Sequence, residues 1–462
     1  MAPRHNSSPR RDWSEVQERE YYEHECRKFR ICIIGKAGVG KTTLLSKVFG
    51  IDEHEAGVVR QEDAVRRGGG QHNIYDAIVD ENRNSALVIH DSCGFETGED
   101  NNLSLVQSFI EYRSAKPSLQ EQLHCIWYCI SLVDPRQLHE AERELFRFLR
   151  EKEIPLVFVL TKYDAFVGEK LREAVEDMEE ATADDWRNAR VAAQEHIADL
   201  RGYLESTMGY GVKVQEVSKA RKDERLVQKL AVETTAIVKP NLRIVWFRAQ
   251  GVLAKQKRVA CVEHFPQKIL HSLIVSSALP LNPFRGVKLG DFFEDTFHHC
   301  LAVWNLPGQS VLFTKDYVQT MFREASQSYI RRTNLAAAVA PLGALDAPRF
   351  IKVGIQIVCD LIMIFQQLFW ATPRRQKLSY GDLRRELDLY KGSGIRESIH
   401  RLVEGAVNYG SSFSVKKLVG VIRVVVDDGC KILHSEAVRS HKREEVRSFD
   451  EPPFAELPAQ NA

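Results

Sequence analysis

A largely apolar run, Phe29–Ile34, leads into Gly35-Lys36-Ala37-Gly38-Val39-Gly40-Lys41-Thr42-Thr43, and helical periodicity follows to Phe49. Glycines at 35, 38 and 40 sit badly inside a strand or a helix. The stretch therefore reads as a strand that turns through a loop into a helix. That order constrains the fold more than anything else in the chain, because it fits the phosphate-binding pattern GxxxxGK[ST] in the setting the chemistry needs. The glycines let the backbone curl so that successive N–H groups face an anion. The start of the helix adds its partial positive charge. Lys41 would reach the β and γ phosphates of a nucleoside triphosphate, and the Thr42 hydroxyl would ligate Mg2+. A glycine turn with no ligand is the alternative, and the strand before and helix after disfavour it.

Two further motifs address the base. Leu160-Thr161-Lys162-Tyr163-Asp164 closes an apolar strand and reads as [NT]KxD. A carboxylate at Asp164 can accept from both N1–H and the exocyclic amine of guanine, a donor pair adenine lacks. Leaving that carboxylate unpaired with the wrong base is costly, so it discriminates. Lys162 can cover the base plane with its stem. Downstream, Val217-Ser218-Lys219-Ala220 follows another apolar strand, where backbone N–H groups could meet the guanine carbonyl. Between these motifs Asp91-Ser92-Cys93-Gly94 supplies DxxG at a strand end. Asp91 would hold Mg2+ through a water, and the Gly94 N–H would contact the γ-phosphate.

The expected site thus comprises Gly35, Gly38, Val39, Gly40, Lys41, Thr42 and Thr43 at the phosphates. Thr42 and Asp91 serve the metal, and Thr161, Lys162, Asp164, Ser218 and Lys219 the base. Lys41, Thr42 and Gly94 are the groups expected to act in hydrolysis, with GTP or GDP as ligand and Mg2+ as cofactor.

Between residues 28 and 237 short apolar runs alternate with longer amphipathic stretches, the pattern of a mainly parallel α/β sheet flanked by helices. Strands are expected at Phe29–Ile34, Asn73–Val79, Ala86–His90, His124–Ser131, Leu156–Leu160 and Lys213–Val217. Helices are expected at Lys41–Phe49, Leu103–Tyr112, Leu138–Arg150, Leu171–Glu205 and Asp223–Ile237. Lys239-Pro240-Asn241 marks a boundary, beyond which helical periodicity takes over. The expected plan is a charged tail over 1–26, a nucleotide-binding G domain over 28–237, a mostly α-helical domain over 242–434 and a charged, Pro-rich tail over 435–462. Val415–Val426 is read as helix.

With its motifs in this order, the chain resembles the translation-factor-related branch of P-loop GTPases. Ile89-His90-Asp91-Ser92-Cys93-Gly94-Phe95-Glu96-Thr97-Gly98 and Cys125-Ile126-Trp127-Tyr128-Cys129-Ile130 look like a large group of fungal G-domain proteins. The resemblance covers residues 28–237 and implies a P-loop G domain with GTP across the strand C-terminal ends. Two departures bear on rate. The position after DxxG, where small GTPases carry a Gln that orients the attacking water, is Phe95. No threonine occurs between Thr43 and Thr97 to serve as the first switch threonine. Low intrinsic turnover is therefore expected. A GTP-binding interaction module with negligible hydrolysis and a self-assembling, membrane-associated GTPase are the rival readings. An internal arginine finger from Arg66 or Arg67 is weighed against a solvated basic loop, and the solvated loop is preferred.

Lys and Arg total 64 against 63 for Asp and Glu, a balance that gives no reason to expect a nucleic-acid partner. An unknown protein effector or activator and a nucleotide-dependent homodimer are the partners considered. Ile351–Ala371 is apolar over a membrane-spanning length yet carries Lys352, Gln356, Asp360, Gln366 and Gln367. A central Asp costs roughly 3 kcal/mol on insertion, which favours a buried helix over membrane contact. Nine scattered cysteines read as free buried thiols, fitting an intracellular, cytoplasmic setting. His298, His299 and Cys300 lack companions at metal spacing.

Overall fold

The computed structural model describes residues 26–50, 57–59, 73–80, 84–92, 100–134, 140–175, 181–209, 212–218, 224–277, 285–306, 313, 317, 347–371, 378–392, 394–407 and 414–439. The chain divides into two compact units. Unit 1 contains residues 1–257, 302–310 and 372–378, and unit 2 the remainder.

Unit 1 is built on strands β1 (Phe29–Gly35), β2 (Gly57–Val59), β3 (Ala77–Asp80), β4 (Asn84–Asp91), β5 (Cys125–Ser131), β6 (Leu156–Thr161) and β7 (Lys213–Glu216). They form one sheet in the order β2-β3-β4-β1-β5-β6-β7. β4, β1, β5, β6 and β7 run parallel, while β2–β3 and β3–β4 pair antiparallel. The central strands read as near-continuous apolar runs because helices cover both faces. The order in which strands are added switches sides about β1: β4 lies on one side and β5 on the other, all three parallel. Such a switch point opens a crevice at the strand C-terminal ends, and the glycine loop leaves β1 there.

On one face, Ile34, Tyr128, Phe158 and Leu160 pack in a core with Phe109 and Ile110 of α2 (Asp100–Ser114) and with Phe146 of α3 (Glu140–Glu151). Leu171 of α4 (Tyr163–Ala174) and Ile197 of α5 (Ala183–Met208) complete that core. On the other face lie α1 (Lys41–Phe49), α6 (Glu224–Ile237) and α7 (Arg243–Ala249). There Trp246 of α7 packs on Phe29, Phe49 and Trp127 with ring centroids 5.0, 6.0 and 6.1 Å away.

Several features differ from the sequence expectation. The stretch read as one helix from Leu171 to Glu205 is two helices, α4 and α5. The Thr182 side chain caps α5 and Asp185 returns the bond to the Thr182 backbone; that reciprocal box starts a new helix where no Gly or Pro marks a break. The strand expected at Asn73–Val79 begins at Ala77, because Asp76 N–H closes a turn onto Asn73 O at 2.9 Å. Finally, residues 242–257, assigned above to the helical domain, fall in unit 1. Asn84 on β4 holds them by donating to Ala249 O at 2.7 Å and to Phe49 O at 3.3 Å.

Unit 2 is helical. It includes α8 (Ala254–Ser277) from Arg258 onward and α9 (Arg285–Trp304) up to Leu301. It also holds α10 (Ala347–Ala371), α11 (Tyr380–Gly392), α12 (Ile395–Ala406) and α13 (Val415–Arg439). α13 is helical as read and runs past Ser435, where the sequence reading began the tail. α10 contains the long apolar segment, and its window is 83% buried within the protein. Three of its polar residues are met from other helices. Asp360 accepts from Tyr390 Oη at 2.6 Å and pairs with His400 Nε2 at 3.0 Å and Arg396 Nε at 3.3 Å. Lys352 pairs with Glu404 at 2.6 Å, and Gln366 accepts from Arg258 at 2.9 Å. Gly429 of α13 lets this packing close, since a Cβ there would lie 3.2 Å from Ile399 Cδ1.

Candidate nucleotide-binding site

The glycine loop begins where β1 and β5 come together. A Cβ on Gly35 would stand 2.6 Å from Cys129 O, so no other residue fits between these strands. Gly38 and Gly40 take φ of 70° and 100°, in the left-handed region that a side chain disfavours. Gly40 caps α1 with no side-chain bond, leaving the first N–H groups of the helix for a ligand. Lys41 is almost buried, and its Nζ donates to Gly35 O at 3.0 Å and Lys36 O at 3.2 Å. Thr42 and Thr43 are exposed at the helix start, and Val39 is buried beneath the loop.

β4 delivers Asp91 to the same edge, in register with Ile33 of β1. Ser92 follows at once and ties the two strand ends together. Its N–H donates to Ile33 O at 3.0 Å, and its Oγ accepts from Gly35 N–H at 3.4 Å. Behind Asp91, His90 is fully buried. Arg30 Nη1 donates to His90 Nε2 at 2.7 Å, which leaves Nδ1 to donate to Ile74 O at 2.9 Å. Burial and the neighbouring Arg30 and Arg113 charges push the His90 pKa well below its ordinary value, so the ring stays neutral. Gly94, with Cys93 and Phe95, lies outside the described residues, as does the loop carrying Arg66 and Arg67.

The base end is assembled from β6 and β7. Thr161 is buried and donates to Ile130 O at 3.2 Å. Lys162 has a positive φ of 60° and caps α4, so the chain turns sharply and sets Asp164 in the first turn of that helix. Tyr163 N–H donates to Val217 O at 3.1 Å, and Val217 N–H to Leu160 O at 2.7 Å, stitching this turn to Ser218. Lys47 in the last turn of α1 donates to Ser218 O at 3.1 Å. Lys219 lies outside the described residues. The sequence reading missed Lys47, Ser92 and the Arg30–His90 pair, whose contacts reach 171, 57 and 60 positions along the chain.

The oxygen donors available to a divalent cation are the Thr42 hydroxyl at the start of α1 and the Asp91 carboxylate at the end of β4. One hard carboxylate and one hydroxyl suit Mg2+, which keeps waters and takes its other ligands from phosphate. The residues present fit that ion.

Residues 30–162 match the model of a family described as 50S ribosome-binding GTPase, and residues 308–444 match a domain of unknown function (DUF8505). Among solved structures, the FeoB G-domain from Methanococcus jannaschii is similar at 16% identity and a TM-score of 0.24. The match covers 45% of this chain and 98% of that one. No curated protein matches. The N-terminal half therefore holds a P-loop GTPase domain. Over residues 30–162 the likeness is to a GTP-binding domain, and it singles out neither the translation-factor-related branch nor the fungal group.

Proposed function

We propose that this protein is a Mg2+-dependent GTPase of low intrinsic turnover that works as a nucleotide-controlled switch. The observation that carries the reading is convergence. The glycine loop, Asp91, the Thr161–Asp164 turn and Ser218 come from β1, β4, β6 and β7, and all meet at one edge of the sheet. Lys41 exchanges its two carbonyl partners for β- and γ-phosphate oxygens, and the loop N–H groups neutralise charge on the bridging oxygen. Thr42 and Asp91 hold Mg2+, which supplies further charge neutralisation on the phosphates when bound. Asp164 accepts from the guanine N1–H and exocyclic amine, against the Lys162 stem and the Ser218 turn.

Phe95 cannot accept a hydrogen bond from the attacking water, which supports slow turnover. Ser92 joins Asp91 to Ile33 and Gly35, so a change at the γ-phosphate is felt by both strand ends at once. A protein effector or activator, or a second copy of the chain, would read that change. Among the described residues eight cysteines are free and seven of them buried, which suits an intracellular, reducing setting.

The test is single-turnover GTP hydrolysis with Mg2+, over a range of protein concentrations, beside Lys41→Ala. Turnover that disappears in the variant supports the GTPase, and a per-molecule rate that climbs with concentration supports activation by self-association. Tight GTP binding with no turnover at any concentration would replace the switch enzyme by a binding module.

A further inference from the structure

The underside of the phosphate-binding loop is not packed solid. Lys36 and Val39 border an open cavity of about 530 Å3 within unit 1, lined also by Leu132, Glu142, Arg143 and Phe166. Gly38 and Gly40 bring no side chains to the loop, and nothing lies within 4 Å of where a Cβ would stand on either. Side-chain packing therefore gives this stretch of the loop little support.

A side-chain tether crosses this gap. Lys36 Nζ lies 3.7 Å from Glu142 Oε2 of α3, with the Glu142 side chain 7% exposed. On the far side Tyr128 Oη donates to Glu142 Oε1 at 2.7 Å. Burial and the adjacent Glu142 charge hold the Tyr128 pKa well above its ordinary value, so the phenol remains a donor. Tyr128 belongs to the central strand β5 and is wedged against Phe146 and Phe158 at centroid distances of 4.9 and 5.8 Å. A rigid strand thus fixes Tyr128, Tyr128 fixes Glu142, and Glu142 holds Lys36 at the second position of the loop. Lys41 cannot do this work, because it must release the carbonyls of Gly35 and Lys36 to reach phosphate.

We propose that Glu142 is a positioning residue for nucleotide binding. Through Lys36 it keeps the loop curled before the phosphates arrive, so that less ordering remains to be done on binding. The proposal rests on reading the loop as the phosphate site.

Titration of a fluorescent GDP analogue, with release rates and melting temperatures measured in parallel, separates the two claims. Failure of the wild type to bind guanine nucleotide would remove the reading of the site itself. If the wild type binds, Glu142→Gln and Lys36→Met should each weaken affinity about fivefold to tenfold, mainly through faster release, as expected for a partly buried charged pair. The double variant should be no weaker than either single one. Single variants with wild-type affinity and release but a lower melting temperature, or effects that add in the double variant, would overturn the proposal.

Discussion

Lys41 and Asp360 are both charged and nearly buried, at 9% and 3% exposure, one in each unit. Their partners differ in kind. Lys41 leans on two main-chain carbonyls of the glycine loop at the C-terminal end of β1, which under the proposed function it would trade for phosphate oxygens without leaving a buried charge stranded. Asp360 is held by Tyr390, Arg396 and His400 from two other helices, and losing any of them leaves charge or polarity unmet in an apolar helix layer. Replaceable partners mark a place where a ligand is received; mutually committed partners mark scaffold. The same contrast explains how α10, apolar over a membrane-spanning length, serves as the core helix of unit 2.

The sharpest way to break this contrast is at the base end. Asp164→Asn should turn preference from guanine toward xanthine nucleotides on the order of a thousandfold, because the amide presents a donor where guanine also donates. Competition binding of GDP against XDP checks it, and an unchanged ratio would remove Asp164 from the site. In unit 2, Asp360→Ala should destabilise the fold by roughly 3–5 kcal/mol, since Arg396 and His400 lose their buried acceptor. Urea unfolding reads the loss, and wild-type stability would mean the cluster is not committed scaffold.

The next effect is on pH. Burial pushes the His124 pKa down from 6.5 to about 4, while the unfolded chain keeps the ordinary value. The unfolded state therefore binds more protons through that window. Stability is complete above the unfolded value and is lost as pH falls toward the folded one. From pH 7 to pH 5 the loss from His124 is about 2 kcal/mol, and buried His90 adds in the same direction. Melting curves across that range should show it, and His124→Gln should flatten the dependence. Smallest is the cap of α5. Thr182→Ala should cost about 1 kcal/mol in urea unfolding, and no change would mean that α4 and α5 separate for some reason other than the capping box.

Much of unit 1 was legible because its determinants are local. Apolar runs mark strands buried on both faces, and the loop, the DxxG aspartate and the TKxD turn sit at strand ends in chain order. What escaped was non-local or short. β2 is three residues, paired antiparallel to β3. α7 joins unit 1 because Trp246 finds Phe29, Phe49 and Trp127, none of them near it in sequence. Glu142 looks like any acid in an amphipathic helix until β5 places Tyr128 beneath it. The α4–α5 break did leave a local trace, Thr182-Ala-Asp-Asp185, a capping box that the sequence reading did not register.

One contact has a consequence for what the crevice can measure. α1 starts under the phosphate loop at Lys41 and, within its final turn, Lys47 reaches across to Ser218 O at 3.1 Å. Six residues of helix rise roughly 9 Å, and a helix of this length barely stretches. The helix thus spans between the glycine loop and the Ser218 turn, with the Lys47 side chain closing the remaining distance. A molecule that satisfies one end is tested at the other by its length, so a free base or a bare polyphosphate can engage only half of what a whole nucleotide does.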